Sequence, residues 1–168
     1  MSPFSSHLVD LAAEALSDLR TRDLRLTTAE SCTGGLISAV LTEIPGSSSV
    51  VGRAFVTYSN EAKEEVLGVS ARTLAKHGAV SAETVVEMAE GALRVAGSDA
   101  DVAIAVSGVA GPHGGSDAKP VGTVFIAVAH RGADSAWQHR HFAGDRAAVR
   151  IDSVAAALEL VRDVLAVR

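Results

Sequence analysis

Residues 24–41 of the chain read LRLTTAESCTGGLISAVL, and this stretch decides the fold. It begins with apolar and β-branched residues, which favour a β-strand, and it ends with apolar residues at helical spacing, which predict a helix over residues 33–42. Between these two parts lies a short turn of small and hydroxyl-bearing residues. The order strand, tight turn, helix is typical of α/β proteins, in which such turns lie at the carboxyl end of the sheet.

The turn itself is a candidate binding site. Ser31, Thr33, Gly34 and Gly35 offer hydroxyl groups and backbone N–H groups at the predicted start of a helix. Such groups stabilise a bound anion or an oxyanion. A purely capping role for Ser31 or Thr33 is the alternative interpretation. The spacing alone also makes Ser31 the candidate nucleophile.

The rest of the chain alternates between helical and β-type patterns. Apolar residues at helical spacing predict an amphipathic first helix over residues 5–19. Continuous apolar runs at residues 102–106 and 121–129 predict buried strands, and the alternating run at residues 137–142 predicts an edge strand. We therefore expect an α/β fold, a single three-layer αβα domain over residues 1–168 with a largely buried mixed sheet.

The composition restricts the classes of function. The chain has 168 residues, a formal net charge of −5 and 48% hydrophobic residues. This charge argues against a broad nucleic-acid surface, since phosphate neutralisation needs clustered Lys and Arg. No apolar stretch approaches the roughly 20 residues of a membrane span, and the single Cys32 excludes an intrachain disulfide. We expect a cytoplasmic protein with no nucleic-acid or membrane partner.

Two further turns are rich in glycine and serine. The first covers residues 45–49, and the second covers residues 107–116, with Ser107, Gly108 and Gly111 at its start. Glycine lets the backbone approach a ligand closely and leaves N–H groups free for a phosphate or an oxyanion. Neither turn matches the phosphate-binding loop or the dinucleotide fingerprint.

Tyr58 and Lys63 lie five residues apart across a predicted strand-to-helix junction, so both side chains can point toward one crevice. A neutral lysine amine beside a serine accepts the hydroxyl proton and later delivers it to a leaving nitrogen. An ordinary exposed lysine paired with a nearby Glu is the alternative interpretation. His113, in the second glycine-rich turn, is the rival general base.

The segment before the last predicted helix adds two polar candidates. We expect Asp145 to cap that helix and Arg146 to contact a phosphate. His139 and His141 would share one face of the edge strand, but no third ligand stands at an evident spacing. We therefore predict no metal site.

Taken together, these motifs resemble the CinA C-terminal-domain family from about Leu8 to the last helix. The resemblance implies hydrolysis of the carboxamide of nicotinamide mononucleotide (NMN) to nicotinic acid mononucleotide and ammonia, without a cofactor or a metal. The segments that carry it are residues 28–35, 45–48, 55–63, 77–81, 107–112, 114–116, 119–124 and 142–146.

The resemblance also implies roles for individual residues. Ser48 matches the family's nucleophile and Lys63 its base, with Tyr58 alongside, which gives Ser31 a pocket-lining role. For the 5′-phosphate of the substrate we expect the loop at residues 108–116 together with Arg146.

Two expectations concern the alternative function and the assembly. A non-catalytic nucleotide-binding or regulatory module is the alternative to the enzyme, although the presence of both Ser48 and Lys63 argues against it. We expect a symmetric homo-oligomer, formed through the edge strand at Trp137 or through the first helix.

Overall fold

The computed structural model describes residues 1–167. Its strands are β1 (Leu26–Glu30), β2 (Val51–Val56), β3 (Val102–Gly108), β4 (Thr123–His130) and β5 (Ala136–His141). Its α-helices are α1 (Ser6–Thr21), α2 (Leu36–Thr42), α3 (Asn60–Leu67), α4 (Ala71–His77), α5 (Ala82–Ala96) and α6 (Arg146–Ala166). Short 3₁₀ helices lie at Ser47–Ser49 and Gly97–Asp99.

The five strands form one mixed sheet in the order β2-β1-β3-β4-β5. Strand β1 runs parallel to both of its neighbours, β2 and β3. Strand β4 pairs antiparallel with β3, and β5 pairs antiparallel with β4. Because β1, β2 and β3 are parallel, the turns that follow them meet at one edge of the sheet. The predicted mixed sheet and the predicted edge position of β5 are confirmed.

Helices cover the sheet on both sides. Along β3, Ile104 and Val106 pack in a core with α1, α2 and α6, while Ala103 and Ala105 pack with α5 on the other face. This alternation follows from the period of two along a strand. The predicted three-layer αβα arrangement is confirmed.

The turn after β1 is longer than the sequence pattern predicts. The expected helix begins at Thr33, but α2 begins at Leu36. Gly34 and Gly35 have φ angles of 58° and 97°, which lie in the left-handed region and cannot continue a right-handed helix. The turn therefore extends from Ser31 to Gly35.

Helix α1 uses its apolar face within the chain. Leu8, Leu16 and Leu19 are buried in the core shared with α6. At the rim of this contact Arg162 donates to Asp18 over 2.9 Å and also pairs with Glu14. This packing corrects the expectation that the first helix is available for another subunit.

None of the helices within residues 1–167 combines the length and the apolar character that a bilayer crossing needs.

Helices α3 and α5 lie in unusually close contact at one glycine. A Cβ atom added at Gly91 of α5 would stand 2.0 Å from the carbonyl oxygen of Leu67, the last residue of α3. Only glycine permits this approach. The contact matters for the site because α3 carries Lys63.

Candidate active site

The side chains of Ser31 and Lys63 meet at the edge of the sheet where β1, β2 and β3 end. The Nζ atom of Lys63 lies 3.0 Å from the Oγ atom of Ser31. Ser31 follows β1, and its N–H donates to the carbonyl of Val106 in β3. Lys63 is 1% exposed and Ser31 is 8% exposed, so this contact lies out of bulk water.

The amine of Lys63 lies within hydrogen-bond reach of four oxygen atoms, one of which is the Ser31 hydroxyl. Nζ lies 2.9 Å from the carbonyl oxygen of Thr57 and 3.0 Å from that of Tyr58, with the carbonyl of Ser59 farther away at 3.5 Å. As an ammonium the group donates to both carbonyls and to the Ser31 hydroxyl, whereas a neutral amine keeps two N–H donors for the carbonyls and has a lone pair facing that hydroxyl. Burial lowers the pKa of Lys63 from its ordinary value. Loss of one proton from Lys63 would therefore place a lone pair beside the Ser31 hydroxyl.

Ser48 lies at the opposite end of β2 from Lys63. It belongs to the 3₁₀ helix that precedes β2, whereas Lys63 lies in the helix that follows it. A six-residue strand separates them by roughly 20 Å, at about 3.3 Å for each residue. The Ser48 side chain is exposed and makes no hydrogen bond to any of residues 1–167. Within one chain, the structure brings Lys63 to Ser31 and leaves Ser48 apart.

The N–H groups at the start of α2 are occupied by a carboxylate of the chain itself. Glu30 is completely buried and accepts hydrogen bonds from the N–H groups of Gly35, Ile37 and Ser38 at 2.9 to 3.0 Å. The Thr33 hydroxyl donates to the same carboxylate over 2.7 Å. These groups are not free for a substrate anion, which corrects the prediction for Thr33 and Gly35. Sequence reasoning also missed this role of Glu30.

Arg150 holds the opposite side of the same turn. Its guanidinium, reaching over from α6, donates to the carbonyl of Cys32 over 3.1 Å and to that of Thr33 over 3.2 Å. Gly34 donates its own N–H to the carbonyl of Ser31. These contacts fix the backbone next to Ser31. The N–H group of Gly34 is already bonded to Ser31, so it is not free for a ligand.

A pocket of about 260 Å³ adjoins the Ser31 turn. A larger cavity of about 620 Å³ lies next to it and shares two of its residues, Ala110 and Arg146. The smaller pocket is lined by Cys32, Tyr58, Val80, Gly108, Val109, Ala110, Gly111, His113, Gly114 and Arg146. Of the predicted site residues, Tyr58, Gly108, Gly111 and Arg146 therefore share one pocket.

The loop after β3 carries unpaired backbone donors on residues that line this pocket. The N–H groups of Ala110, Gly111, His113 and Gly114 make no hydrogen bond within residues 1–167. Successive free N–H groups in such a loop form a concave anion site. Ser107, by contrast, is buried in β3 opposite Phe125 and does not line the pocket. Unpaired N–H donors therefore lie in this loop rather than at the start of α2.

Arg146 connects Tyr58 to the glycine-rich loop. Its Nη2 atom donates to the Tyr58 hydroxyl over 3.0 Å, and its Nη1 atom donates to the Gly111 carbonyl over 2.7 Å. The neighbouring Asp145 accepts from the Ala148 N–H over 2.9 Å, which confirms the predicted cap. One guanidinium thereby joins the segment after β2, the loop after β3 and the start of α6.

Comparison with known proteins identifies the family. The model of the CinA C-terminal domain matches residues 8–165. The chain belongs to the CinA C-terminal domain family. This confirms the resemblance carried by the sequence motifs.

Relatives of this CinA domain include named enzymes. The chain is 51% identical over 154 residues to the nicotinamide-nucleotide amidohydrolase PncC of Escherichia coli strain K12, and the match covers 92% of each chain. It is 50% identical over 154 residues to a CinA-like protein of Geobacter sulfurreducens, covering 92% of this chain and 36% of that protein. The match thus extends over nearly all of one relative and about a third of the other.

Solved structures of the family share the fold. The competence/damage inducible protein CihA from Agrobacterium tumefaciens superposes with a TM-score of 0.92 at 44% identity, covering 97% of this chain and 98% of that one. A CinA superfamily protein from Klebsiella pneumoniae 700603 gives 0.91 at 43% identity, covering 96% and 99%. The α/β fold class is therefore that of the family.

Cys32 and the histidines of this CinA domain take no part in the contact between Ser31 and Lys63. Burial raises the pKa of the Cys32 thiol to about 11, so the group stays protonated near neutral pH. His113 lines the smaller pocket, whereas His139 stacks on Phe125 with ring centroids 4.7 Å apart. Within residues 1–167, no three His, Cys, Asp or Glu side chains are grouped as metal ligands.

Proposed function

We propose that this protein hydrolyses the carboxamide of NMN to nicotinic acid mononucleotide and ammonia, by a serine nucleophile with a lysine base. The observation that carries the proposal is the buried contact of 3.0 Å between Ser31 Oγ and Lys63 Nζ, beside a pocket with free N–H donors. The near full-length relationship to a nicotinamide-nucleotide amidohydrolase supports the substrate.

The first half of the reaction forms an acyl-enzyme. Neutral Lys63 takes the proton of Ser31, and the serine oxygen attacks the carboxamide carbon, which the positive pyridinium ring makes electron-poor. The tetrahedral intermediate collapses with cleavage of the C–N bond, and Lys63 delivers the proton to the leaving nitrogen, which departs as ammonia. In the second half, Lys63 takes a proton from water, the resulting hydroxide attacks the ester, and the proton returns to Ser31.

The two adjoining cavities suit the two ends of the substrate. The smaller pocket beside Ser31 takes the pyridinium ring and its carboxamide, and free N–H groups of the loop after β3 stabilise the oxyanion or the 5′-phosphate. Arg146 stands between the cavities, so its guanidinium can reach a phosphate that lies toward the larger one. No metal or cofactor takes part in these steps.

The choice of Ser31 departs from the role that the sequence resemblance implies for Ser48. Within one chain Ser48 cannot contact Lys63, because the whole of β2 lies between them. Ser48 could supply the nucleophile only from a second copy of the chain whose 3₁₀ helix lies at this site. The two possibilities make different predictions for single and mixed variants.

The decisive experiment measures ammonia release from NMN by the chelator-treated wild type and by Ser31→Ala, Ser48→Ala and Lys63→Met. We expect the wild type to be active, Ser31→Ala and Lys63→Met to lose activity by a factor on the order of 10⁴ or more, and Ser48→Ala to stay active. If the wild type binds NMN but releases no ammonia, the protein is a nucleotide-binding module instead.

A mixing experiment tests the second-copy alternative. If Ser48→Ala is inactive, equal amounts of Ser48→Ala and Lys63→Met are unfolded together, refolded and assayed. Recovered activity would show that Ser48 acts across a subunit interface, because such an assembly contains sites with both groups intact. If Ser48→Ala alone is fully active, the Ser31 assignment stands.

We also propose that the protein acts as a symmetric homo-oligomer in the cytoplasm. Strand β5 is an edge of the sheet, and its Trp137 side chain is 53% exposed. An exposed edge strand with an aromatic side chain favours pairing with a second copy. Light scattering at micromolar concentration tests this oligomer, and a monodisperse monomer would contradict it.

Fractionation of the source cells tests whether the protein lies in the cytoplasm.

A further inference from the structure

We propose that Glu30 and Arg150 are positioning residues that hold the Ser31 hydroxyl against Lys63 from the two sides of the turn. This inference rests on the proposed function for its kinetic consequences. Its structural consequence, the distance between Ser31 Oγ and Lys63 Nζ, does not depend on the reaction.

Glu30 holds the side of the turn that faces α2. One carboxylate oxygen accepts from the Thr33 hydroxyl and from the N–H groups of Gly35 and Ile37. The other accepts from Ser38 N–H over 2.9 Å and from the Thr28 hydroxyl over 3.3 Å. A completely buried carboxylate needs such donors, because an unsatisfied buried charge is very costly. The turn is thereby fixed to the residue directly before Ser31.

Arg150 holds the side of the turn that faces α6. Its planar guanidinium donates to two successive carbonyls, those of Cys32 and Thr33, directly after Ser31. This forked geometry constrains the backbone more than a single hydrogen bond does. Ser31 therefore lies between two fixed points, and its hydroxyl is directed at Lys63.

The side chain of Arg150 also lines the larger cavity, which gives it a second candidate role. A guanidinium there could contact the substrate's phosphate. A positioning residue and a phosphate ligand differ in what they change: the first lowers kcat, whereas the second raises KM. A small uncharged serine reagent distinguishes them further, because it has no phosphate to lose.

The first test compares Glu30→Gln with Glu87→Gln. Glu87 is the matched control, because its carboxylate also accepts from a backbone N–H, that of Ser70 over 2.7 Å, but it holds α4 rather than the Ser31 turn. Glutamine keeps the size of Glu30 but places N–H donors against the N–H groups of α2. We expect kcat for NMN to fall on the order of 100-fold in Glu30→Gln, as for a slightly displaced reacting group. Glu87→Gln should keep the wild-type kcat.

The second test compares Arg150→Lys with Arg131→Lys. Arg131 is matched because it also donates to backbone carbonyls, those of Ala100 and Leu93 over 2.7 Å, far from the site. We expect Arg150→Lys to lower kcat on the order of 10-fold and to slow Ser31 modification by a small uncharged phosphonofluoridate by the same factor. A raised KM with an unchanged modification rate would instead make Arg150 a phosphate ligand and overturn its positioning role.

Crystal structures of Glu30→Gln and Arg150→Lys complete the test and do not depend on catalysis. We expect the distance from Ser31 Oγ to Lys63 Nζ to exceed 3.5 Å in both variants, compared with 3.0 Å in the wild type. If this distance stays at its wild-type value in both, the positioning role is wrong even when the wild type is active on NMN. If the distance lengthens but the wild type is inactive, the positioning role stands and the proposed function fails.

Discussion

The hydroxyl of Tyr58 lies 3.0 Å from the Nη2 atom of Arg146, a residue 88 positions later in the chain. Tyr58 is 60% exposed despite this bond, so its ring stands at the mouth of the smaller pocket rather than in the core. Its backbone carbonyl meanwhile accepts from Lys63. Tyr58 thus links the buried amine to the arginine that borders both cavities.

Loss of the Tyr58 hydroxyl should weaken the site through Arg146. Because Tyr58 is 60% exposed, we take the ordinary contribution of a hydrogen bond, about 0.5 to 1.5 kcal/mol, which corresponds to about a 2- to 12-fold change. We expect Tyr58→Phe to lower kcat/KM within that range. In a double-mutant cycle, Tyr58→Phe with Arg146→Met should cost little more than the larger single change, because both remove the same contact.

The matched control is Arg140→Met. Arg140 is an exposed arginine of β5 whose guanidinium donates to Gln138, away from the pocket. Its removal should add to Tyr58→Phe without coupling. Full additivity of the Tyr58 and Arg146 changes would show that their contact does not contribute to turnover.

The pH dependence of the reaction should report the titration of Lys63. The amine acts as a base only when neutral, and burial lowers its pKa. We therefore expect kcat/KM to rise with pH and to level off above a midpoint that lies below about 10.4, the value of an unperturbed lysine. A value of kcat/KM that falls as the pH rises toward this midpoint would contradict a neutral lysine base.

The substitution Lys63→Arg separates charge from basicity. Arginine stays protonated throughout the accessible range, so it can donate but cannot accept the serine proton. We expect kcat/KM to fall by about 10²- to 10⁴-fold. The exposed Lys76 of α4 provides the control, since Lys76→Arg makes the same chemical change outside the site.

Cys32 should be dispensable although it lies directly after Ser31 and lines the pocket. Burial raises the pKa of its thiol to about 11, so only about one thiol in 10⁴ is ionised at pH 7. We expect Cys32→Ala to keep the activity, and alkylation of the native thiol by iodoacetamide to be much slower than alkylation in denaturant. Loss of activity in Cys32→Ala, together with an active Ser31→Ala, would identify a cysteine nucleophile instead.

The sequence predicts the fold well because periodicity reports burial directly. The apolar run of β3 indicates a central strand, and the alternating run of β5 indicates an edge strand. In the structure β3 is the middle strand of the sheet and β5 lies at its edge. The order of the strands does not follow from such patterns, since it depends on contacts between distant segments. Turn chemistry identified Ser31, Tyr58, Lys63 and the loop after β3 as polar candidates.

The internal use of polar groups explains what the sequence did not predict. A Glu before a serine turn gives no sign that its carboxylate will turn back and occupy the N–H groups of α2, as Glu30 does. The contacts of Arg150 with Cys32 and Thr33 cannot be predicted from sequence patterns either, because 117 or more positions separate these residues. Motif similarity directed attention to Ser48, whereas chain geometry places Ser31 at the amine.

Close packing at Gly91 gives a test of how the fold positions Lys63. Any side chain there would meet the Leu67 carbonyl, with a Cβ atom only 2.0 Å away. Backbone cannot yield as a flexible side chain does, so α3 must move away from α5. We expect Gly91→Ala to lower the free energy of unfolding by about 1 to 3 kcal/mol, despite the higher helix propensity of alanine.

Because α3 carries Lys63, the same substitution should also lower kcat, even at temperatures where the variant is fully folded. Chemical denaturation measures the stability, and the ammonia assay at low temperature measures kcat. Val95→Ala is the control, since Val95 is an exposed position of the same helix and such changes stay within about 0.5 kcal/mol. A Gly91→Ala variant with wild-type kcat would show that Lys63 is held by its own hydrogen bonds to Thr57 and Tyr58, and not by the packing of α3 on α5.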